Sequence, residues 1–151
     1  MDIRQLTGIS AAEYTRRRQQ LMEMAGDDAI LVLPAASERV RSLDTHYPFR
    51  QDSDFWYLSG FPEPEAVLVL IPGRRHGEVI LFCRERDADR EAWDGARAGQ
   101  EGAVSQYGMD DAYPIDDLDD ILPGLLEGRS RVYYHFGRDA EFDLKLIGWV
   151  N

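Results

Sequence analysis

The 151 residues are 44% apolar and 30% charged, with the charges mixed along the chain, which suits one folded domain with a substantial core and argues against a disordered chain. A formal net charge of −11 argues against a nucleic-acid or anionic-membrane surface, because phosphate binding needs clustered Lys and Arg. A single cysteine, Cys83, excludes an internal disulfide. The N-terminus has no signal-peptide or transit character and no apolar run approaches membrane-spanning length, so the chain reads as cytoplasmic.

Ser10-Ala11-Ala12-Glu13 has capping-box spacing and predicts a helix to about Ala25, with Tyr14, Leu21 and Met24 near one face and Gly26 as its stop. The basic run Arg16-Arg17-Arg18 within it reads as a solvated helix face. Ala29 to Leu33 is a continuously apolar strand closed by Pro34, as expected of an interior strand covered on both sides. A loop over 34–52 leads to a short helical turn at Asp54 to Ser59. Ala66 to Ile71 and Glu78 to Cys83, joined by the turn Pro72 to Gly77, read as a hairpin. Cys83 is then a buried thiol at a strand end.

An acidic helix follows at Asp87 to Trp93 and another at Gln100 to Tyr107, with a brief strand at Ala112 to Ile115. Asp116 to Leu126 is a helix with acids at its N-terminal end, where the macrodipole favours them. Arg131 to Phe136 is a strand and Asp139 to Val150 a final helix. The pattern predicts one α/β domain with a mixed β-sheet flanked by helices. Ile30, Val32, Val67, Val69, Ile80 and Tyr133 are its expected core. The chain ends inside a helical pattern without a stop signal, as expected of a domain cut from a longer protein.

Catalytic chemistry is hard to find in these residues. Asp116-Asp117-Leu118-Asp119-Asp120 fails the EF-hand pattern, since Leu118 stands where an oxygen ligand is required, and reads as a solvated helix start. His46, His76 and His135 lie in different elements without ligand-like spacing, and no nucleophile elbow, phosphate-cradling Gly loop or zinc helix is present. The expectation is a chain with no catalytic residue, no cofactor and no metal of its own. Trp93 lies among charges at a helix end. It reads either as a lid over its own core or as an indole presented at an interface, where Trp is enriched at hot spots.

The segment Pro48-Phe49-Arg50-Gln51-Asp52-Ser53-Asp54-Phe55-Trp56-Tyr57-Leu58-Ser59-Gly60-Phe61-Pro62-Glu63-Pro64-Glu65 is dense in aromatics, prolines and charges. Its residues suggest rings of Phe55, Trp56 and Phe61 buried against the sheet, prolines stiffening the entry to the next strand, and Arg50 satisfying nearby acids or carbonyls. A surface facing another domain or subunit is the alternative. This signature resembles that of the N-terminal domain of bacterial Xaa-Pro aminopeptidases (aminopeptidase P), within the creatinase/prolidase N-terminal domain family. The helix Glu13 to Leu21, Arg41-Ser42-Leu43-Asp44, Glu65 to Ile71 and Trp93-Asp94-Gly95-Ala96-Arg97-Ala98-Gly99-Gln100 extend the resemblance over most of the chain.

The resemblance implies a ribonuclease H-like α/β domain spanning residues 1–151 of a metal-dependent aminopeptidase that removes the N-terminal residue preceding proline. Its catalytic domain, of pita-bread fold with two manganese ions, would follow residue 151. The implied partners are that catalytic domain, other subunits of a homodimer or homotetramer, and peptides with proline at position two. Asp44 and Trp93 match family positions that approach the active site of a neighbouring subunit, where they would shape the substrate channel. The chain alone is expected to be inactive. A prolidase-type dipeptidase parent is the alternative within the family, and a stand-alone interaction module the alternative outside it.

Overall fold

A computed structural model of the chain describes residues 8–37 and 49–151. Helix α1 (Ala11–Ala25) starts where the Ser10 hydroxyl accepts the Glu13 N–H at 3.2 Å and stops at Gly26, whose φ of 89° suits glycine. Strand β1 (Ala29–Pro34) and the short helix α2 (Ser53–Ser59) follow. Next come the hairpin strands β2 (Val67–Leu70) and β3 (Val79–Cys83), then helices α3 (Ala88–Asp94) and α4 (Gly99–Tyr107). Strand β4 (Asp111–Pro114), a 3-10 turn at Ile115–Asp117, helix α5 (Leu118–Leu126), strand β5 (Arg131–Tyr133) and helix α6 (Ala140–Val150) complete the order.

The strands form one five-stranded sheet in the order β4-β3-β2-β1-β5. Strand β2 is antiparallel to both β1 and β3, whereas β5 is parallel to β1 and β4 parallel to β3. Four strands therefore run one way and β2 alone runs back, giving the mixed α/β domain expected from the sequence. Alternation along the strands divides the apolar residues between two cores. Leu31, Leu68, Leu70 and Leu81 pack with Met22, Phe55, Phe61 and Tyr107 beneath α1, α2 and α4. Ile30, Val32, Val67, Val69, Ile80 and Phe82 pack on the opposite face against Leu118, Leu122 and Leu126 of α5 and Phe142 and Leu146 of α6. Helices on both faces explain why the strands read as unbroken apolar runs. Among the described residues, no helix is long and apolar enough to cross a membrane.

Four expectations need correction. Tyr133, expected in the core, is 44% exposed, because β5 is a short strand at the sheet edge and ends at Tyr133 instead of reaching Phe136. Met24 is exposed and Met22 takes the core position on α1. The basic run of α1 is solvated only at Arg16: Arg18 is buried and its Nη1 donates to the Leu58 carbonyl at 2.9 Å. Arg17 lies over the Tyr57 ring at 4.1 Å and donates to the Tyr57 carbonyl at 3.0 Å. Both arginines cap the C-terminal end of α2, whose last carbonyls have no partner within so short a helix. The N-terminal end of the helix expected from Asp116 instead forms the 3-10 turn, and α5 proper starts at Leu118.

Candidate functional site

The strand directions gather the carboxyl ends of β1, β3, β4 and β5 on one edge of the sheet, with the start of β2 among them. In open α/β sheets the crevice outside that edge is where ligands bind. Two segments singled out by the sequence lie there: the signature, which feeds β2, and the Trp93 segment, which leaves β3.

The signature segment turns inward. Phe55 and Phe61 are fully buried, Trp56 is half-buried with its ring 6.4 Å edge-on to Tyr14, and Phe61 meets Tyr107 edge-on at 5.0 Å. The side chain of Gln51 holds the backbone of the arch. Its Oε1 accepts the N–H groups of Ala36 and Asp52, both at 2.9 Å, and its Nε2 donates to the carbonyls of Phe61 and Glu63 at 3.2 and 2.8 Å. Both hydrogens and both lone pairs of one amide are thereby used. The carbonyl-holding role expected of Arg50, which is exposed, belongs at these positions to Gln51.

Asp52 caps α2, accepting the N–H groups of Asp54 and Phe55 at 3.0 Å, and also receives Arg138 Nη1 at 2.9 Å. The buried Ser59 hydroxyl donates to Phe55 and accepts the Phe61 N–H at the left-handed turn through Gly60.

The Trp93 segment turns outward. Trp93 is 91% exposed, and α3 has no buried residue. The loop that carries it is nevertheless closely bonded. Glu91 Oε1 accepts Arg86 Nε at 2.9 Å and the Arg97 N–H at 2.8 Å, while its Oε2 accepts the Asp87 N–H at 2.8 Å. The Arg97 N–H foremost, with the Arg86 guanidinium and the Asp87 N–H in support, lowers the Glu91 carboxyl to about 2. Buried Glu63, from the signature, accepts the Ala98 N–H at 2.8 Å and lies 3.4 Å from Arg84 Nη2. Gln100 donates to the Cys83 carbonyl at 2.9 Å. The lid reading of Trp93 is thus overturned within this chain, and its exposed indole stands on a frame tied to the buried arch.

Asp44, the second site residue named by the sequence, lies outside the described residues, as does the rest of Arg41 to Asp44. Among the described residues, no three His, Cys, Asp or Glu side chains are placed to hold a metal ion. Cys83 is buried and its thiol is pushed up to about 11, chiefly by burial, which leaves it a poor nucleophile at neutral pH. Sequence reasoning missed Gln51, Glu63 and Glu91. Only Asp52 left a local signal, as an N-cap acid ahead of an apolar turn.

Residues 14–134 match the family model described as Aminopeptidase P, N-terminal domain. The Xaa-Pro aminopeptidase of Escherichia coli (strain K12) is 43% identical over 140 residues, which is 92% of this chain and 32% of that protein. Xaa-Pro aminopeptidase 3 of Homo sapiens is 36% identical over 149 residues, covering 91% of this chain and 29% of that one. Among solved structures, aminopeptidase PepP of Pseudomonas aeruginosa superposes with a TM-score of 0.87 at 59% identity, over 95% of this chain and 32% of that chain. The low-pH form of E. coli aminopeptidase P gives 0.86 at 42% identity, over 93% of this chain and 32% of that chain. The chain thus spans about a third of the length of the relatives it matches.

Proposed function

The chain belongs to the aminopeptidase P N-terminal domain family, and on that premise we propose that it is the non-catalytic N-terminal domain of a metal-dependent Xaa-Pro aminopeptidase. The parent removes the residue that precedes proline at the N-terminus of a peptide, in the cytoplasm, and its catalytic domain follows residue 151. Relatives named Xaa-Pro aminopeptidase favour this reading over the dipeptidase. The manganese pair belongs to the catalytic domain. The described residues do not fit such a pair, having no suitable donor set, and no metal-borne step is assigned to them.

This domain supports a homodimer or homotetramer in which Trp93 and Asp44 wall the substrate channel of a neighbouring subunit. The observation that carries the reading is an exposed indole on a bonded frame at the carboxyl-end edge of the sheet. A ring so placed narrows a channel and orients a peptide by contact, without acid–base work. The test is steady-state kinetics of the full-length parent carrying Trp93→Ala or Asp44→Ala. The expected result is a fall in kcat/KM on Xaa-Pro peptides at unchanged metal content, with Asp44→Ala acting more strongly on substrates charged near the channel. Unchanged kcat/KM in both variants contradicts the channel role. Chelator-sensitive turnover by the purified 151-residue chain contradicts its non-catalytic status.

A further inference from the structure

Helix α3 carries Trp93, whose indole is almost wholly exposed. The helix has seven residues and none is buried, so neither core packing nor helix propensity orders it; isolated helices this short are marginal in water. The Gly95 N–H, at a φ of 97°, bonds the Glu91 carbonyl and closes the helix. The Glu91 side chain bonds to both ends of the loop. The Glu91 carboxylate takes Arg86 Nε and the Asp87 N–H from the side entering α3, and the Arg97 N–H from the side leaving it. A second bond across the loop runs from Arg97 Nη1 to the Glu85 carbonyl at 3.0 Å. Gly99, at a φ of 68°, lets the Arg86 stem lie so close that a Cβ there would sit 2.6 Å from Arg86 Cγ.

We propose that Glu91 is the positioning residue of Trp93: its carboxylate joins both sides of the Arg86–Arg97 loop into one frame, and that frame fixes where the indole points. The proposal rests on the reading of Trp93 as a channel-wall residue for its consequence in catalysis, but the frame itself is a property of this chain. Three charge-assisted or backbone hydrogen bonds converge on one carboxylate, and such bonds are stronger than neutral ones. The two cores do not use α3, so removing the carboxylate frees the loop and leaves the domain folded.

The test has two arms. In the first, backbone 15N relaxation is measured on the 151-residue chain and its Glu91→Ala variant. Order parameters over Ala88–Asp94 should fall from about 0.85 to below about 0.6 while the strands keep theirs. Retained order in α3 overturns the proposal whatever the kinetics show. In the second arm, kcat/KM of the full-length parent is compared for Glu91→Ala, Trp93→Ala and the double variant. Each single change should lower it by up to about a hundredfold, and the double variant should be no worse than Trp93→Ala alone. Additive losses overturn positioning, since they mean Glu91 acts other than through the indole. If Trp93→Ala is silent, the channel reading falls while the relaxation arm still decides the frame.

Discussion

The arch from Gln51 to Glu63 and the loop from Arg86 to Ala98 sit on the same sheet edge, carry aromatic residues and are stitched by side-chain-to-backbone bonds, yet they treat their rings oppositely. The arch buries Phe55 and Phe61 in a core shared with α1 and α4. The loop bonds its own backbone as tightly and leaves Trp93 in solvent. Aromatic density therefore does not predict exposure: the ring-rich arch buries Phe55 and Phe61, while Trp93 of the loop is uncovered. Where rings are covered, the bonding serves stability. In the loop the bonding persists although the ring is uncovered. Glu63 links the two, carrying the rigidity of the arch to the Ala98 end of the loop.

Substitutions can break that comparison. The largest effect should come from Phe61→Ala, which empties a fully buried site between Phe55 and Tyr107 and should cost about 3–5 kcal/mol by chemical denaturation. Loss of less than about 1 kcal/mol would show that the arch is not a core element. Next is Gln51→Ala, which strips four part-buried bonds at about 0.5–1 kcal/mol each, a total of roughly 2–4 kcal/mol.

An acid titration sharpens the other side. Glu91 in the folded chain is lowered from 4.5 to about 2, so its contribution is complete above the higher value and is lost as pH falls through the lower one. Chemical shifts of the Arg97 and Asp87 amides should follow that loss, and a midpoint near 4.5 would mean the carboxylate is not held. The smallest effect is Trp93→Ala in the 151-residue chain, which should change stability by no more than about 0.5 kcal/mol, because an exposed ring contributes little to its own fold.

The element order was largely legible because its causes are local: the Ser10 cap, the Gly26 stop, and the apolar runs of β1, β2 and β3. What escaped was set by partners distant in sequence. Arg17 and Arg18 look like any basic helix face until the carbonyls of Tyr57 and Leu58, some 40 residues on, come to meet them. Tyr133 belongs to a β-rich run, but burial there depends on the strand's place in the sheet, which no local pattern states. At the site, the resemblance pointed to Trp93, and the structure removes the lid reading by leaving the ring exposed. Glu91 is one acid among many in a chain with 28 of them, and only the convergence of three donors sets it apart.

The central claim is that Trp93 faces out of its own domain in order to meet a neighbouring subunit. Hydroxyl-radical footprinting read by mass spectrometry, which separates Trp93 from Trp56 and Trp149, tests it most directly when the 151-residue chain is compared with the assembled full-length parent. The account predicts heavy labelling of Trp93 in the chain and marked protection in the assembly, with half-buried Trp56 and Trp149 little changed. Equal labelling of Trp93 in both states would contradict it.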